Sequence, residues 1–277
     1  MNYFIQKEPF EFEQMHQINF LREFSDGEGI KVAILDSGIS PTLEIPVTAS
    51  MNMFDRGGVI EDGAGHGSAI ASIVKRIAPK VELFDFKVLD KDGIGNHGTV
   101  LDGINLSKEY NVDIAIVSLG AQHMAYSPMF VSAFKTLSNK GVAILGATGN
   151  SGNPVIDQPA SYDGVWGIGS IDYEGNKSKF SNYNGLDFVA TGERIPTLNQ
   201  NGFMVEKTGT SFAVPVFAGM LALSLSLAKK HNIPCQTNSE KYDLIKAGCF
   251  YEHSRSDFGN GYPRADLIIK HLRSIKP

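Results

Sequence analysis

Cysteine is scarce in this sequence, which contains two, Cys235 and Cys249, among 277 residues. They form no Cys-x-x-Cys pair, and no Cys/His cluster has the spacing of a metal site. Two unpaired thiols are the simpler interpretation, and a disulfide that closes the short loop between them is the alternative. We therefore expect a hydrophobic core, rather than disulfides or a structural metal, to stabilise the fold.

Long hydrophobic runs are also lacking. A helix that crosses a bilayer needs about 18 consecutive apolar residues, and the longest apolar segment, Phe217–Ala228, is interrupted by serines and a glycine. The first residues, MNYFIQKEPFEFEQ, include acidic side chains and lack the apolar run of a secretory signal. If Met1 is the native start, we expect a cytoplasmic protein with no membrane partner.

A strong excess of charge is absent as well, because the formal net charge is −5 and 20% of the residues are charged. This balance gives no broad basic face and argues against nucleic acid as a partner. Apolar residues make up an ordinary 42%, and no repeat or low-complexity linker divides the chain. We expect one large domain, residues 21–277, preceded by an N-terminal extension, residues 1–20.

Short apolar runs of strand length alternate with helical patterns along the chain. The predicted strands are Ile30–Leu35, Val81–Val88, Asp113–Leu119, Gly141–Ala147 and Val165–Ile171. The predicted helices are His66–Lys75, Thr99–Glu109, Pro128–Asn139 and Ser211–Lys230, the last with Pro215 near its start. This alternation predicts an α/β fold with a mostly parallel central sheet covered by helices on both faces.

Three short segments carry residues suited to catalysis. Asp36 ends an apolar strand in Val-Ala-Ile-Leu-Asp-Ser-Gly, His66 follows a glycine at a helix start, and Ser211 lies in Gly-Thr-Ser-Phe-Ala. Taken singly, each has a common structural explanation as a loop cap or helix cap. Together they supply a nucleophile, a base that removes its proton and an acid that orients the base.

The chain order Asp, His, Ser is that of subtilisin, and the sequence resembles subtilisin-like (subtilase) serine proteases over roughly residues 20 to 270. The resemblance implies the three-layer sandwich of that family and the roles of nucleophile, base and orienting acid for Ser211, His66 and Asp36. A related sheet enzyme, the α/β-hydrolase, would need Gly-x-Ser-x-Gly and a different chain order.

The resemblance also implies an oxyanion site and a substrate-binding strand. Asn150, in Gly-Ala-Thr-Gly-Asn-Ser-Gly, would donate its side-chain amide to the oxyanion together with the backbone N–H of Ser211. Ser118, Leu119 and Gly120 resemble the edge strand that pairs with the substrate backbone.

The pocket for the residue before the cut would have Ala147 and Gly149 as walls. Asp157 would then lie near the base of this pocket, where a carboxylate in a low dielectric favours Lys or Arg in the substrate. An Asp157 that faces solvent or caps its turn is equally compatible with the sequence.

Two features of many secreted subtilases are missing. The helix that begins at His66 continues to Ala78 without the loop that wraps a calcium ion, and Thr42 occupies the position of an acidic ligand. Ca²⁺ requires about six to eight oxygens, so we expect no metal, no required cofactor and no high-affinity calcium site, while a weaker calcium site elsewhere stays open. We also expect no prodomain of the kind that secreted members carry, and the segment Tyr3–Pro9 would either plug the cleft or pack on the back of the domain.

The sequence therefore predicts a serine endopeptidase that acts on peptides or proteins. A specialised intracellular role, such as processing of a peptide precursor, would follow from cytoplasmic residence and an acidic pocket. A broad degradative protease is the closest alternative. A catalytically silent binding module is disfavoured, because all three triad residues and Asn150 are present. The sequence does not determine the oligomeric state.

Overall fold

A computed structural model describes residues 10–56, 58–120, 127–251 and 254–275 of the protein. Tyr3–Pro9, the segment considered as a plug, lies outside these residues. At the centre is a seven-stranded parallel sheet with strand order β2-β3-β1-β4-β5-β6-β7. Its strands are β1 (Lys31–Asp36), β2 (Ala49–Asn52), β3 (Glu82–Lys87), β4 (Ile114–Val117), β5 (Ala143–Ala147), β6 (Val165–Ile171) and β7 (Phe188–Thr191).

Two short antiparallel pairs lie outside the central sheet. They are β8 (Ile195–Leu198) with β9 (Met204–Lys207), and β10 (Cys249–Phe250) with β11 (Tyr262–Pro263). The helices are α1 (Glu11–Met15), α2 (Ile18–Arg22), α3 (His66–Ile77), α4 (His97–Glu109), α5 (Pro128–Asn139), α6 (Thr210–Lys230), α7 (Asn238–Ala247), α8 (Arg255–Phe258) and α9 (Ala265–Ser274), with a 3₁₀ turn at Pro41–Leu43.

The sheet separates two hydrophobic cores. Successive side chains of a strand point to opposite faces, so Val32 and Ile34 of β1 join the core under α3 and α6, whereas Ala33 and Leu35 join the core under α4 and α5. The three-layer α/β architecture predicted from the sequence is therefore confirmed. It explains why the central strands are apolar along their whole length.

The charged residues of β3 do not mark an exposed face. Asp85 is 1% exposed and Lys87 is 8% exposed. The Asp85 carboxylate accepts hydrogen bonds from Ile39 N (3.1 Å) and Ser50 Oγ (2.7 Å). The ammonium of Lys87 donates to the carbonyls of Ser37 (2.6 Å) and Leu89 (2.9 Å). These side chains thus hold the loop that follows β1.

Helix α6 runs through the larger core and is apolar on all sides. It is long and apolar enough to span a membrane by composition alone, but 94% of the relevant window is buried inside the fold. The sequence predicted that Pro215 lies near the helix start, where a missing N–H has little cost. This prediction is wrong, because Pro215 lies in the interior of α6. Its ring removes the N–H that would bond the Ser211 carbonyl, and Ser118 Oγ donates to that carbonyl instead (3.2 Å).

The N-terminal helices pack on the rest of the domain. Glu13 of α1 is 1% exposed and accepts hydrogen bonds from the Arg76 guanidinium of α3 at 3.0 and 2.9 Å. His16 is fully buried, with Nδ1 at 2.7 Å from the Pro263 carbonyl. Burial lowers the pKa of His16 to about 4, against the opposing effect of that hydrogen bond. This ring is therefore neutral at physiological pH.

Candidate active site

Asp36 and His66 form a hydrogen-bonded pair at the carboxyl end of β1. His66 Nδ1 lies 2.9 Å from both carboxylate oxygens of Asp36. The side chain of Asp36 is 1% exposed, whereas that of His66 is 27% exposed. A carboxylate that binds Nδ1–H leaves Nε2 as the basic nitrogen of the ring, so the pair presents a base to solvent.

Asp62, which the sequence analysis did not single out, connects the two segments that carry this pair. Its Oδ1 accepts from Ser37 Oγ (2.7 Å) and Gly65 N (2.7 Å), and its Oδ2 accepts from Ser68 N (2.9 Å). The Gly65 and Ser68 amides belong to the first turn of α3, whose amides have no partner within the helix. Asp62 is 4% exposed and therefore caps α3 while anchoring the residue next to Asp36.

The close approach of these segments requires a glycine. A Cβ on Gly67 would overlap the carbonyl oxygen of Gly38. Gly67 N donates to Ser37 Oγ (3.0 Å), which is a second bond between the turn after β1 and the start of α3. The glycine that follows His66 is thus explained by packing.

Ser211 lies in the first turn of α6, at the same edge of the sheet as Asp36. Its Oγ donates to the carbonyl of Ser118 (3.2 Å), and Ser118 Oγ donates in return to the carbonyl of Ser211 (3.2 Å). Among the residues that the structure describes, no hydrogen bond joins Ser211 to His66. A rotation about the Cα–Cβ bond of Ser211 is needed to direct the hydroxyl to a base, and such contacts are often unformed in free enzymes.

The amide of Asn150 is oriented by Thr210. Asn150 Oδ1 accepts from Thr210 N (2.9 Å) and Thr210 Oγ1 (3.0 Å), so Nδ2 must point the other way. Thr210 is fully buried, and its hydroxyl also accepts from Gly149 N (3.2 Å). Within the described ranges Nδ2 has no acceptor, which leaves it available to an anionic oxygen beside Ser211.

Asp157 lies between Gly149, a wall of the predicted pocket, and Gly120 of the predicted substrate-binding strand. A Cβ on Gly149 would overlap the carboxylate of Asp157, and a Cβ on Gly120 would lie 3.4 Å from Cβ of Asp157. Asp157 Oδ1 accepts from Asn182 Nδ2 (3.1 Å), while its Oδ2 has no hydrogen bond or cation in the described part of the chain. Burial raises the pKa of Asp157, and the bond from Asn182 opposes this rise.

Ser118, Leu119 and Gly120 extend beyond the end of β4. Strand β4 lies between β1 and β5 in the interior of the sheet, and the three residues carry no strand pairing of their own. They are therefore not an edge strand of the central sheet. Ser118 is 3% exposed, and Gly120 is exposed and borders Asp157. Ala147, predicted as a pocket wall, is the last residue of β5 and is 5% exposed.

The pKa of His66 is raised above its ordinary value of 6.5. Burial of the ring acts to lower it, but the charge of Asp36, the hydrogen bond to Asp36 and the charge of Asp62 together outweigh burial. The charge of Lys207 acts in the lowering direction. The residues described here include no group of three or more His, Cys, Asp or Glu side chains placed to hold a metal ion.

Sequence reasoning missed Asp62, Thr210, Asn182 and Lys207. A signal existed for Asp62, because an aspartate followed by Gly-Ala-Gly just before a helix is typical of a capping loop. Thr210 is adjacent to Ser211, yet its bond to Asn150 joins residues 60 positions apart. Contacts at that separation cannot be inferred from a local pattern.

Comparison with known proteins agrees with the fold. A family model described as the Subtilase family matches residues 27–261. Subtilisin BL of Lederbergia lenta is 30% identical over 254 residues, which cover 88% of this chain and 92% of that protein. An intracellular serine protease of Paenibacillus polymyxa is 31% identical over 258 residues, covering 85% of this chain and 78% of the relative. A solved structure described as a lanthipeptide protease has a TM-score of 0.84 at 21% identity, covering 94% of this chain and 93% of that one.

The raised pKa of His66 predicts the pH dependence of peptide cleavage. A general base acts in its neutral form, so kcat/KM should rise with pH through a midpoint above 6.5. The measurement uses a peptide with an uncharged residue before the cut, so that Asp157 does not affect binding. A midpoint at or below 6.5 would contradict this reading of the Asp36 and Asp62 charges.

Proposed function

The chain belongs to the subtilase family of serine endopeptidases, and on this basis we propose that it is an intracellular protease that processes peptide precursors. In this proposal Ser211 is the nucleophile, His66 is the general base and Asp36 orients His66. The observation that carries it is the Asp36–His66 pair, held 2.9 Å apart at the sheet edge that also bears Ser211 and Asn150.

The proposed reaction begins when Ser211 Oγ leaves the Ser118 carbonyl and attacks the scissile carbonyl. His66 Nε2 takes the hydroxyl proton, and the charge of Asp36 stabilises the imidazolium. The tetrahedral oxyanion accepts hydrogen bonds from Asn150 Nδ2 and the Ser211 amide, and a donor of this kind is worth about 3 to 4 kcal/mol. His66 then gives its proton to the leaving amine as the C–N bond breaks. Water next gives a proton to His66 and attacks the acyl-enzyme, and His66 returns that proton to Ser211 Oγ as the ester bond breaks.

Specificity for a basic residue before the cut is proposed from the surroundings of Asp157. Its carboxylate is partly desolvated, borders both Gly120 and Gly149, and has one oxygen without a partner among the described residues. A Lys or Arg side chain of the substrate would supply the missing cation. Narrow selection of this kind suits a processing enzyme better than a degradative one.

An intracellular setting is supported by two observations. Cys235 and Cys249 are both free, as is usual in a reducing compartment. A relative of similar length is described as an intracellular serine protease. The fold neighbour described as a lanthipeptide protease makes a modified peptide precursor a reasonable substrate class to test.

Independence from calcium is part of the proposal and is supported by Lys75. Helix α3 runs without interruption from His66 to Ile77. Near its end, the Lys75 ammonium donates to the carbonyls of Pro79 (2.8 Å) and Val81 (3.0 Å). Lys75 is 9% exposed. A cation belonging to the chain thus satisfies carbonyl oxygens in the segment that follows α3.

Ser211→Ala tests the nucleophile. We expect kcat for a peptide substrate to fall by about 10⁴-fold or more and labelling by a fluorophosphonate to disappear. Ser151→Ala is the matched control, because Ser151 is an exposed serine next to Asn150 and its loss should leave labelling intact. Undiminished labelling of Ser211→Ala would rule out the assignment.

Asp157→Asn tests the pocket while keeping an oxygen for the bond from Asn182. We expect the preference for Arg over Leu before the cut to fall by about 10- to 100-fold, with cleavage after Leu retained. Asp163→Asn removes a carboxylate that is 74% exposed and should leave the preference unchanged. Digestion of a proteome-derived peptide library gives the same information without bias, and cuts after many residue types would favour a degradative enzyme.

Chelation tests independence from calcium. We expect the melting temperature and kcat/KM to be the same in EDTA and in millimolar calcium, because Lys75 already occupies the carbonyls that follow α3. Both quantities are measured on protein dialysed against chelator. A clear rise of the melting temperature with calcium would show a site that this proposal omits.

A further inference from the structure

Asn182 is a buried amide that the proposed reaction leaves without a role. It lies in the loop between β6 and β7 and is 0% exposed. Its Oδ1 accepts from Ser151 N (3.0 Å) and Asn153 N (3.1 Å). Since backbone amides can only donate, these two bonds fix the orientation of the side chain. Its Nδ2 is thereby directed to the carboxylate of Asp157, where it donates to Oδ1 (3.1 Å).

The amides that Asn182 holds belong to the segment that carries the proposed oxyanion donor, Asn150. Ser151 follows Asn150 directly, and Asn182 N donates to the carbonyl of Gly149, which precedes it (3.0 Å). Residues on both sides of Asn150 are therefore bonded to Asn182. Thr210 orients the Asn150 side chain, and Asn182 fixes the backbone from which that side chain extends.

Asn182 also borders the pocket for the residue before the cut. A Cβ on Gly149 would overlap both Asn182 Nδ2 and the carboxylate of Asp157, so these groups meet at one wall of the predicted pocket. The bond from Asn182 occupies Oδ1 of Asp157, and Oδ2 has no partner in the described part of the chain. Asn182 thus determines which oxygen of Asp157 is open to a substrate cation.

We propose that Asn182 is a positioning residue that joins the Asp157 pocket to the oxyanion site, so that a basic side chain before the cut raises kcat as well as lowering KM. The inference rests on the proposed protease function and deepens it. A substrate cation that pairs with Oδ2 keeps the Asp157 carboxylate charged and fixed. The charged carboxylate polarises the Asn182 amide, which strengthens its Oδ1 as the acceptor for the amides beside Asn150. Binding of the basic side chain then orders a donor that acts in the transition state.

The first test compares two peptides on the wild-type protein. Quenched fluorescent peptides of otherwise identical sequence carry Arg or Leu before the cut, and kcat is confirmed by single-turnover measurement. We expect kcat to be about tenfold higher for the Arg peptide. An equal kcat for the two peptides, with the difference confined to KM, would show that the pocket only binds and would overturn the link through Asn182.

Asn182→Ala removes the link. We expect kcat to fall for both peptides, because the amides beside Asn150 lose their acceptor, and we expect the Arg advantage in kcat to disappear. Combined with Asp157→Asn, the change should no longer alter the ratio of the two kcat values. Asn139→Ala, which removes an exposed asparagine of α5, should keep the kcat values and their ratio as in the wild type.

Asn182→Asp provides a variant of unchanged size if Asn182→Ala does not fold. It keeps an acceptor for the Ser151 and Asn153 amides, and its second oxygen faces the Asp157 carboxylate. Two carboxyl groups in contact share a proton at low pH and are both ionised at high pH, so the donor to Asp157 is present only while the pair holds a proton. The Arg advantage in kcat should therefore remain at about pH 6 and vanish at about pH 9, whereas the wild-type protein keeps it at both.

The results separate this inference from the function on which it rests. If the wild-type protein cuts neither peptide, the proposed protease function fails. If it cuts both but Asn182→Ala keeps the Arg advantage in kcat, or Asn182→Asp keeps it unchanged at high pH, the role of Asn182 is overturned and the protease function stands.

Discussion

The buried carboxylate of Asp62 is the constraint on which the geometry of the site depends. Asp36 ends β1 and His66 begins α3, so two different elements must be held together at the site. Asp62 bonds Ser37 on one side and the amides of Gly65 and Ser68 on the other. The same bonds cap α3 and place a second negative charge near His66. A single residue, Asp62, therefore both supports the structure around His66 and acts on its electrostatics.

Several buried polar groups of this molecule hold the loops around the proposed site. Asp85 and Lys87 of β3 both reach the loop after β1, and Thr210 links the Asn150 segment to the start of α6. A buried polar group is costly unless it is hydrogen-bonded, which makes each of these contacts specific for one arrangement of the loop. Asp85 is the clearest example of this cost of burial. Its Oδ1 lacks a partner among the described residues, and burial raises its pKa to about 7.

The layers of the fold could be predicted from the sequence because apolar continuity and helical periodicity are local properties. Strand β6 and helix α5 were predicted with the bounds that the structure gives. Strand β2, Ala-Ser-Met-Asn, has no apolar run, and it forms because β3 supplies its hydrogen-bonding partner. The same limit applied to the site. Asp36, His66, Ser211 and Asn150 are visible as motifs and Asp62 as part of a capping loop, whereas the bonds of Asn182 to Asp157 and Ser151 join residues distant in the chain.

Pro215 shows how an interrupted helix can fix the position of another segment. Without the proline, the Ser211 carbonyl would be bonded by the amide of residue 215, and it would not be free to accept the hydroxyl of Ser118. Because this amide is missing, the Ser211 carbonyl accepts a hydrogen bond from the hydroxyl of Ser118. A shift of α6 by one residue would move this acceptor about 1.5 Å along the axis and rotate it away from Ser118. The proline thus helps to set the axial register between the helix that carries the proposed nucleophile and the segment predicted to bind substrate.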